Sequence, residues 1–405
     1  MNPTKEFFDF VRANAGADPA ALRLKYGSRK EPFDYGAAIV QIECRRRFGK
    51  KLAATLEAFP DFYFPTVLAG EQATADVVAA FNSSFIPEAL PVADLTAGLG
   101  IDALHAATRA SKIVAVERDE CKVEVLRFNA AGLHIDNIQA VQADCRDVLR
   151  KAVEEGTRYA AVFIDPARRG AEGQRVFALA DCEPDVVEMM PLLRGAAELL
   201  IIKASPMLDV AHTIAALDPA PVSVMAVGTA TECKELLVIV DFENAPAETV
   251  IEAVTLDKDG ADTFAFTRSR EAEAPEPLPA PELVAGDYIF EPSPALMKTG
   301  AYRLLAQRYG LMRFHPNTRL FASHTPVAAG LNGRNFRVVQ TFPFASGVLK
   351  RFARTYPAVN VAVRNFDMSA DALRAKLGVR DVGPLRLYGI TDASGRRLLV
   401  LTEPA

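Results

Sequence analysis

The sequence predicts an α/β protein: an open, mostly parallel sheet with helices on its faces, a helical region ahead of it and a small α+β domain after it. Three observations carry this. Between Leu90 and Val240, strand-like apolar runs ("VADLTA", "KIVAVER", "IQAVQAD", "YAAVFID", "AELLIIKA", "VSVMAV", "ELLVIVDF") alternate with helical patterns, and that alternation means crossover connections between parallel strands. The first run leads directly into a glycine turn, "DLTAGLG", the way many nucleotide-binding sheets begin. At 405 residues, half of them apolar, the chain exceeds one ordinary domain and can bury a full core.

Taken in order, residues 4–58 show apolar residues at helical spacing in "EFFDFVRA", "DPAALRLKYG" and "YGAAIVQIECRRRFGKKLAATLEAF", which predicts a helical cap. A proline and aromatic connector, "FPDFYFPTV", leads to "EQATADVVAAF", read as one helix beginning near Glu71. The last two strands of the sheet are separated only by "GTATECK", short enough for an antiparallel hairpin at the sheet edge. The stretch "EAEAPEPLPAP" is stiff and packs poorly, which predicts a linker or long loop. After it, "YIFEPSPALMKTGAYRLLAQRYGL", "RNFRVVQTFPF", "VLKRFARTYP", "VNVAVRNF", "SADALRAKLGV", "PLRLYGIT" and "RRLLVLTEP" mix strands with helices.

The net charge of −5 gives no global pull towards nucleic acid, so any such partner must be met by a local patch. One exists. From Lys350 to Arg397 ten basic residues face only Asp367, Asp371, Asp381 and Asp392. Five widely spaced cysteines without a CxxC pair argue against a disulfide framework and a zinc site, and the five histidines lack metal-ligand spacing, so no metal is expected. The amphipathic N-terminus lacks the apolar core of a signal peptide and no apolar run approaches a membrane span; the expectation is a cytoplasmic protein with no membrane partner.

Gly98, Gly100 and Ala103 satisfy the G-x-G-x-x-A spacing of a dinucleotide site. Asp94, four residues before Gly98, points elsewhere. A carboxylate there would repel a pyrophosphate, which depends on backbone N–H groups and a positive helix end, but would accept a hydrogen bond from the ammonium of a methionine moiety. Glu117, at the end of the next strand, is placed for ribose hydroxyls and fits either ligand. Asp144 can bond an adenine amino group or simply cap a helix. Asp165 ends the fourth strand. An acid after each of the first four strands makes a cation-friendly, phosphate-poor cleft suited to S-adenosyl-L-methionine. Thr96 and Ala97 in the glycine turn, Arg118 beside Glu117 and Cys145 beside Asp144 fall on the same cofactor side.

The series DLTAGLG, VAVERD, ADCRD and FIDPARRG resembles the motifs of class I S-adenosylmethionine-dependent methyltransferases, whose sheet is Rossmann-like. Through "QIECRRRFGKKL", "EQATAD", "FIDPARR", "YIFEPSPALMKTGAY" and "VRNFDMSADALRAKLG", most of the chain is similar to a bacterial methyltransferase family with a ferredoxin-like segment and a C-terminal THUMP-like domain. The division this implies is a helical region over 1–70, a methyltransferase domain over 71–245, a linker and ferredoxin-like segment over 246–335 and a THUMP-like domain over 336–405.

Methyl transfer is an in-line displacement at a carbon already activated by sulfur, so the protein positions donor and acceptor and manages one proton. Related enzymes that methylate an exocyclic amine place Asn or Asp, Pro, Pro and an aromatic residue at the end of the fourth strand. Here Asp165 and Pro166 keep the first half of that pattern, while Ala167 and Arg168 replace the second. Arg168 and Arg169 can stack on a base, grip a phosphate or pair with nearby acids. The expected catalytic set is Asp165, Pro166 and Arg168, with Asp165 also beside the cofactor. Lys203, Ser205 and Pro206 either line the substrate mouth or form an ordinary loop.

In the basic C-terminal stretch, Lys350, Arg351 and Arg354 lie within one turn of a helix, and Arg374 with Lys376 lies on a later one. With Arg169 they form the candidate RNA-contacting set. The interleaved Phe342, Phe344, Phe352, Tyr356 and Phe366 are either stacking planes or core. The resemblance favours RNA, because THUMP-like domains deliver structured RNA to an attached catalytic domain, and implies methylation of a base in transfer or ribosomal RNA. Two alternatives stay open: a methyltransferase for a small molecule or protein, and a catalytically silent RNA-binding protein that keeps the cofactor fold.

Overall fold

The structure, a computed structural model, describes residues 3–27, 29–168, 178–328 and 330–405. The chain divides into two compact units, one of residues 1–224 and 235–249, the other of residues 225–234 and 250–405.

The first unit opens with helices at Lys5–Ala13, Pro19–Tyr26, Tyr35–Phe48 and Ala53–Ala58. Asp18 and Asp34 cap the second and third, accepting from Ala21 N at 3.2 Å and Ala37 N at 3.0 Å, each satisfying a donor the helix leaves over. Two buried amides then fix the aromatic connector. Gln41 donates to Phe64 O at 2.8 Å and accepts from Phe64 N at 2.9 Å. Asn129 donates to Tyr63 O at 3.0 Å and accepts from Tyr63 N at 2.8 Å. Asn129 stands on the helix Glu120–Gly132, between strands of the sheet, so the helical cap is fastened to the sheet layer by one fully buried side chain.

The sheet strands between residues 91 and 241 are β1 (Pro91–Asp94), β2 (Lys112–Glu117), β3 (Ile138–Gln142), β4 (Tyr159–Ile164), β5 (Ala197–Ala204), β6 (Ser223–Gly228) and β7 (Cys233–Asp241), with β1 to β5 in the first unit and most of β6 in the second. β1 pairs in parallel with both β2 and β4, β2 with β3, and β4 with β5, while β7 runs antiparallel to β5. Every residue of β4 is buried, as expected for a strand covered on both faces. The β6–β7 hairpin forms across "GTATECK", its turn closed by Thr229 N to Glu232 O at 2.8 Å, but it does not end the sheet as expected, because the strand Val250–Leu256 follows β6 in the strand order. Because the chain leaves β1 in one direction for β2 and β3 and in the other for β4 and β5, the order reverses between β1 and β4, and the crevice beyond their carboxyl ends is where such sheets take ligands.

One expected helix is two. The pattern of "EQATADVVAAF" is continuous, but the structure has helices at Val67–Gln72 and Asp76–Ser83 with a break between them. Asp76 is drawn to the helix Ala53–Ala58, accepting from Thr55 N at 2.9 Å and Thr55 Oγ1 at 2.6 Å, and Thr74 is left in the gap, where it meets Lys203 of the sheet.

The second unit carries a hairpin of β8 (Val250–Leu256) and β9 (Ala261–Phe266). It also carries a seven-stranded sheet built from β10 (Tyr288–Pro292), β11 (Met312–Arg313), β12 (Phe321–Ser323), β13 (Gly333–Pro343), β14 (Asn360–Arg364), β15 (Arg386–Thr391) and β16 (Arg397–Pro404), in the order β11-β12-β10-β13-β16-β15-β14. Helices Ser346–Thr355 and Ala370–Leu377 cover one face through Leu349, Phe352, Leu373 and Leu377. The stretch expected to be a linker or long loop is, after the short helix Arg268–Glu273, a long loop anchored to its surroundings: Glu271 accepts from Arg303 N at 2.8 Å and Leu304 N at 3.0 Å, and Ala280 N donates to Arg313 O at 2.7 Å. Its prolines stiffen it without freeing it.

Replacing Asn129 by Ala orphans both backbone groups of Tyr63 in a dry site. The expected loss of stability is about 2–4 kcal/mol, read as a fall in the urea midpoint at unchanged slope. A change within 0.5 kcal/mol or so would show that water replaces the amide.

Candidate active site

The glycine turn needs its glycines. Gly98 and Gly100 have φ of +57° and +90°, and a Cβ on Gly100 would lie 2.3 Å from Leu126 Cδ1, so side chains are excluded both by backbone conformation and by space. The turn is laced to its neighbours: Leu95 N donates to Phe163 O at 2.9 Å, Ala97 N to Val116 O at 2.9 Å and Gly98 N to Glu117 Oε2 at 3.1 Å. Glu117 Oε1 accepts from Asp119 N at 3.0 Å, so its carboxylate is fixed at the carboxyl end of β2. Thr96 Oγ1 accepts from Asp165 N at 2.7 Å and ties the ends of β1 and β4 together.

Asp94 is 4% exposed and, among the described residues, has one hydrogen-bond partner, Thr96 N at 3.0 Å from Oδ1. Burial, reinforced by the neighbouring Asp102 and Asp165, pushes its carboxyl up to about 8. Asp144 caps the helix Cys145–Glu154, accepting from Arg146 N at 2.8 Å, and meets Arg118 at 3.1 Å. Glu183 takes Arg118 at 2.7 Å and Arg146 at 3.0 Å. Arg118 is therefore a rim residue locked between two acids, and Cys145, 3% exposed, has its thiol pushed up by burial.

Lys203, expected at the substrate mouth or in a loop, completes the centre together with Thr74, Asp102 and Glu235, which sequence reasoning missed. Lys203 stands inside β5, not in a loop, with its side chain 12% exposed. Its ammonium contacts Asp165 Oδ2, receives Asp102 Oδ2 at 3.5 Å and donates to Thr74 Oγ1 at 2.9 Å. Thr74 in turn donates to Asp102. Desolvation opposes the lysine's charge, but Asp165 and Asp102 more than offset it and hold its pKa above the ordinary lysine value. Glu235 on β7, 3% exposed, senses the same ammonium, yet burial pushes its carboxyl up to about 8. Asn82, Asp94, Asp102 and Phe163 line one cavity. The available signal was a lone lysine in "ELLIIKA" and a lone glutamate in "KELLVIVDF": a charge in a strand buried on both faces requires a partner.

The structure therefore brings together Asp94, Thr96, Ala97, Gly98, Gly100, Glu117 and Asp165, with Asp144 and Cys145 at the end of β3. Pro166 is buried after Asp165. The backbone of Ala167–Arg168 pairs with Cys182–Glu183, and Arg169 lies outside the described residues. In the second unit Lys350, Arg351 and Arg354 are exposed. Arg374 is bracketed by Asp371 at 2.6 Å and Asp381 at 3.0 Å, so its charge is compensated. Lys376 lies 5.5 Å over the Phe344 ring. Phe352 is buried and Phe342, Phe344, Tyr356 and Phe366 pack against the same core, so these rings are packing residues and not open stacking planes. Among the described residues no group of three or more His, Cys, Asp and Glu could hold a metal, and no helix is long and apolar enough to cross a membrane.

An open sheet with its order reversed at β1, a glycine turn there, and acids at the ends of β1, β2 and β4 define a class I S-adenosylmethionine-dependent methyltransferase. A turn too tight for a Cβ, a fixed carboxylate on β2 and a buried, under-partnered acid on β1 fit an adenosyl ligand bearing an ammonium. Comparison with known proteins agrees. Residues 77–179 match the family described as Conserved hypothetical protein 95, residues 288–329 a ferredoxin-like domain and residues 333–404 a THUMP domain-like family. A candidate methyltransferase from Porphyromonas gingivalis W83, known from its crystal structure, is 30% identical with a TM-score of 0.85, covering 99% of this chain and 98% of that one. An uncharacterised S-adenosylmethionine-dependent methyltransferase of Mycobacterium tuberculosis is 27% identical over 322 residues, 78% of this chain and 81% of its own. The 23S rRNA (uracil(1939)-C(5))-methyltransferase RlmD of Pseudomonas fluorescens is 36% identical over 104 residues, 24% of this chain and 23% of its own. The chain belongs to the family of S-adenosylmethionine-dependent methyltransferases that carry a ferredoxin-like segment and a THUMP-like domain, and S-adenosyl-L-methionine is its cofactor.

Removing the Lys203 ammonium leaves Asp102 and Asp165 uncompensated. Lys203→Met is expected to cost about 3–5 kcal/mol in urea unfolding, and adding Asp102→Asn should recover part of it. No recovery would show that Lys203 acts through packing of its stem.

Proposed function

We propose that this enzyme methylates a base in structured RNA, transfer or ribosomal, in the cytoplasm. The observation that carries the reading is the outer face of the helix Ser346–Thr355. Lys350, Arg351 and Arg354 are exposed there, and among the described residues none has a carboxylate within ion-pair distance. A surplus of unpaired cations on one helix face neutralises phosphates irrespective of sequence, and Lys376 adds to it. The RNA substrate named for RlmD supports the same direction. So does the match of this segment to a THUMP-like family, while five free cysteines suit a reducing compartment.

Bound S-adenosylmethionine supplies an electrophilic methyl group, so the chain's own work is to bind, orient and move one proton. On this reading Asp94 receives the methionine ammonium, Glu117 the ribose hydroxyls, and Asp144 with Cys145 borders the adenine. The turn from Thr96 and Ala97 to Gly98 and Gly100 lets the backbone approach closely. Asp165 faces the acceptor. Its Oδ2 is held by Lys203, while Oδ1 has no protein partner among the described residues and is free to accept the acceptor's hydrogen. Pro166 sets the turn that presents it, and Arg168 with Arg169 grips the base or its phosphate.

The test is methyl transfer from labelled S-adenosylmethionine to RNA fractions from cells lacking this gene. Transfer to one fraction supports the reading, and transfer only to protein or small molecules overturns it. Asp165→Asn should lower kcat by about 10²-fold or more while leaving S-adenosylhomocysteine binding intact. If kcat holds, Asp165 does not touch the acceptor.

Cofactor affinity should depend on pH. The Asp94 carboxyl sits near 8 in the free protein, whereas a ligand ammonium favours its ionised form, so binding below that value releases a proton. Affinity then rises with pH, by up to about tenfold per unit between roughly pH 5 and 7, and the slope disappears in Asp94→Asn. Calorimetry in buffers of different ionisation heat reads the proton directly. A flat profile would remove Asp94 from the ammonium site.

A further inference from the structure

Two of the motifs that set this family apart, "YIFEPSPALMKTGAY" and "VRNFDMSADALRAKLG", have no part in the cofactor site. They meet in the second unit at Glu291. This glutamate, on β10, is 3% exposed. Its Oε1 takes Arg364 from the end of β14 at 2.8 Å. Its Oε2 takes Arg334, directly opposite in register on β13, at 2.8 Å, Arg386 from β15 at 3.2 Å and the Tyr388 hydroxyl at 3.3 Å.

The charges do not balance. One buried carboxylate gathers three guanidinium groups and leaves a surplus of two positive charges. The side chains carrying it remain 45%, 36% and 29% exposed for Arg334, Arg364 and Arg386. Asp381, the other carboxylate that Arg386 senses, is engaged by Arg374 at 3.0 Å. A purely structural role for a buried carboxylate needs one arginine, and gathering three works against their mutual repulsion. The gathering does fix their planes. Arg386 lies 4.9 Å and Arg334 5.7 Å over the Phe336 ring, so two of the three forks share one aromatic support, and besides Glu291 the cluster donates only to Val363 O and the Tyr388 hydroxyl among the described residues. Convergent, pre-oriented guanidinium forks are what a phosphate group requires.

We propose that the Arg334–Arg364–Arg386 cluster, assembled on Glu291, is a phosphate-contact site for the RNA backbone, separate from the cations of the helix Ser346–Thr355. This rests on the RNA reading above, and it makes the arginines a fixed registration point where the helix face supplies only diffuse attraction.

The test uses the full chain and fluorescently labelled bulk transfer RNA and ribosomal RNA fragments, titrated by anisotropy over a series of KCl concentrations. Arg334→Gln and Arg364→Gln should each weaken binding several-fold and flatten the slope of log K against log salt by about one. Arg334→Lys should keep the slope, and S-adenosylhomocysteine affinity should not move. If the Gln variants retain the wild-type slope while Lys350→Gln with Arg354→Gln lowers it, the cluster is not a contact site and the RNA reading stands. If the wild type binds neither RNA at the lowest salt, the RNA reading itself falls, and this assignment with it. Should the Gln variants fail to fold, phenylglyoxal modification of the wild type decides by mass spectrometry. Protection of Arg334 and Arg364 by RNA supports the site; equal modification with and without RNA, or protection only by inorganic phosphate or polyglutamate, overturns it.

Discussion

A single ammonium, that of Lys203, holds the active centre together. It sits on β5 among carboxylates from the end of β4, from the helix after the glycine turn and from β7, with Thr74 reaching it from the break in the upstream helix. Several carboxylates in one nearly dry volume cannot all ionise on one cation. Asp102 and Asp165 reach Lys203 directly, yet burial still holds the Asp165 carboxyl above the usual carboxylate range, and it pushes Asp94 and Glu235 up to about 8. The helix break has its reason here too, since a continuous helix through residues 73–75 would not leave Thr74 in a gap to meet the ammonium. The cleft is short of positive charge until a cationic cofactor arrives, which is a physical basis for preferring S-adenosylmethionine to a pyrophosphate-bearing dinucleotide.

What could be read from the sequence follows from the range over which each feature is encoded. The sheet strands and most helices were legible because period and punctuation are local. So were Asp94, Glu117, Asp144 and Asp165, since a strand end before a turn marks itself. Thr74, Asp102 and Glu235 were not, nor were the strand position and the partners of Lys203. Lys203 finds Asp165 38 residues away and Thr74 129 residues away, and no local pattern announces such a meeting. The signal was compositional, a charge inside an apolar run, and it says only that a partner exists. The proline-rich stretch near Glu276, expected to be a linker or long loop, is the loop, and its anchoring escaped for the complementary reason. Its composition is that of a linker, but Glu271 and Glu276 are spent on the helix Tyr302–Tyr309, on Arg303 and on Arg313.

The basic C-terminal stretch shows why a count of charges is a poor guide to a binding face. Of its ten cations, Arg374, Arg396 and Arg397 are spent on neighbouring acids, and the aromatic rings among them are core. Two groups survive that subtraction. On the helix Ser346–Thr355 the cations are exposed side chains on an amphipathic helix whose other side is Leu349 and Phe352. At Glu291 they are converged and oriented. These are different physical devices: the first gives long-range, salt-sensitive attraction, the second geometry.

The two units use opposite charge imbalances to the same end. In the first, carboxylates outnumber the one buried ammonium, and their raised proton affinity is the mark of a missing cation. In the second, three guanidinium groups outnumber the Glu291 carboxylate on which they converge, and the permanent charge of arginine leaves protonation no means of relieving the excess. An excess of acid can be discharged by taking up protons; an excess of arginine can be discharged only by an anion. The first imbalance therefore makes cofactor binding a function of pH, while the second makes anion binding a function of salt, so the two can be titrated independently in one protein.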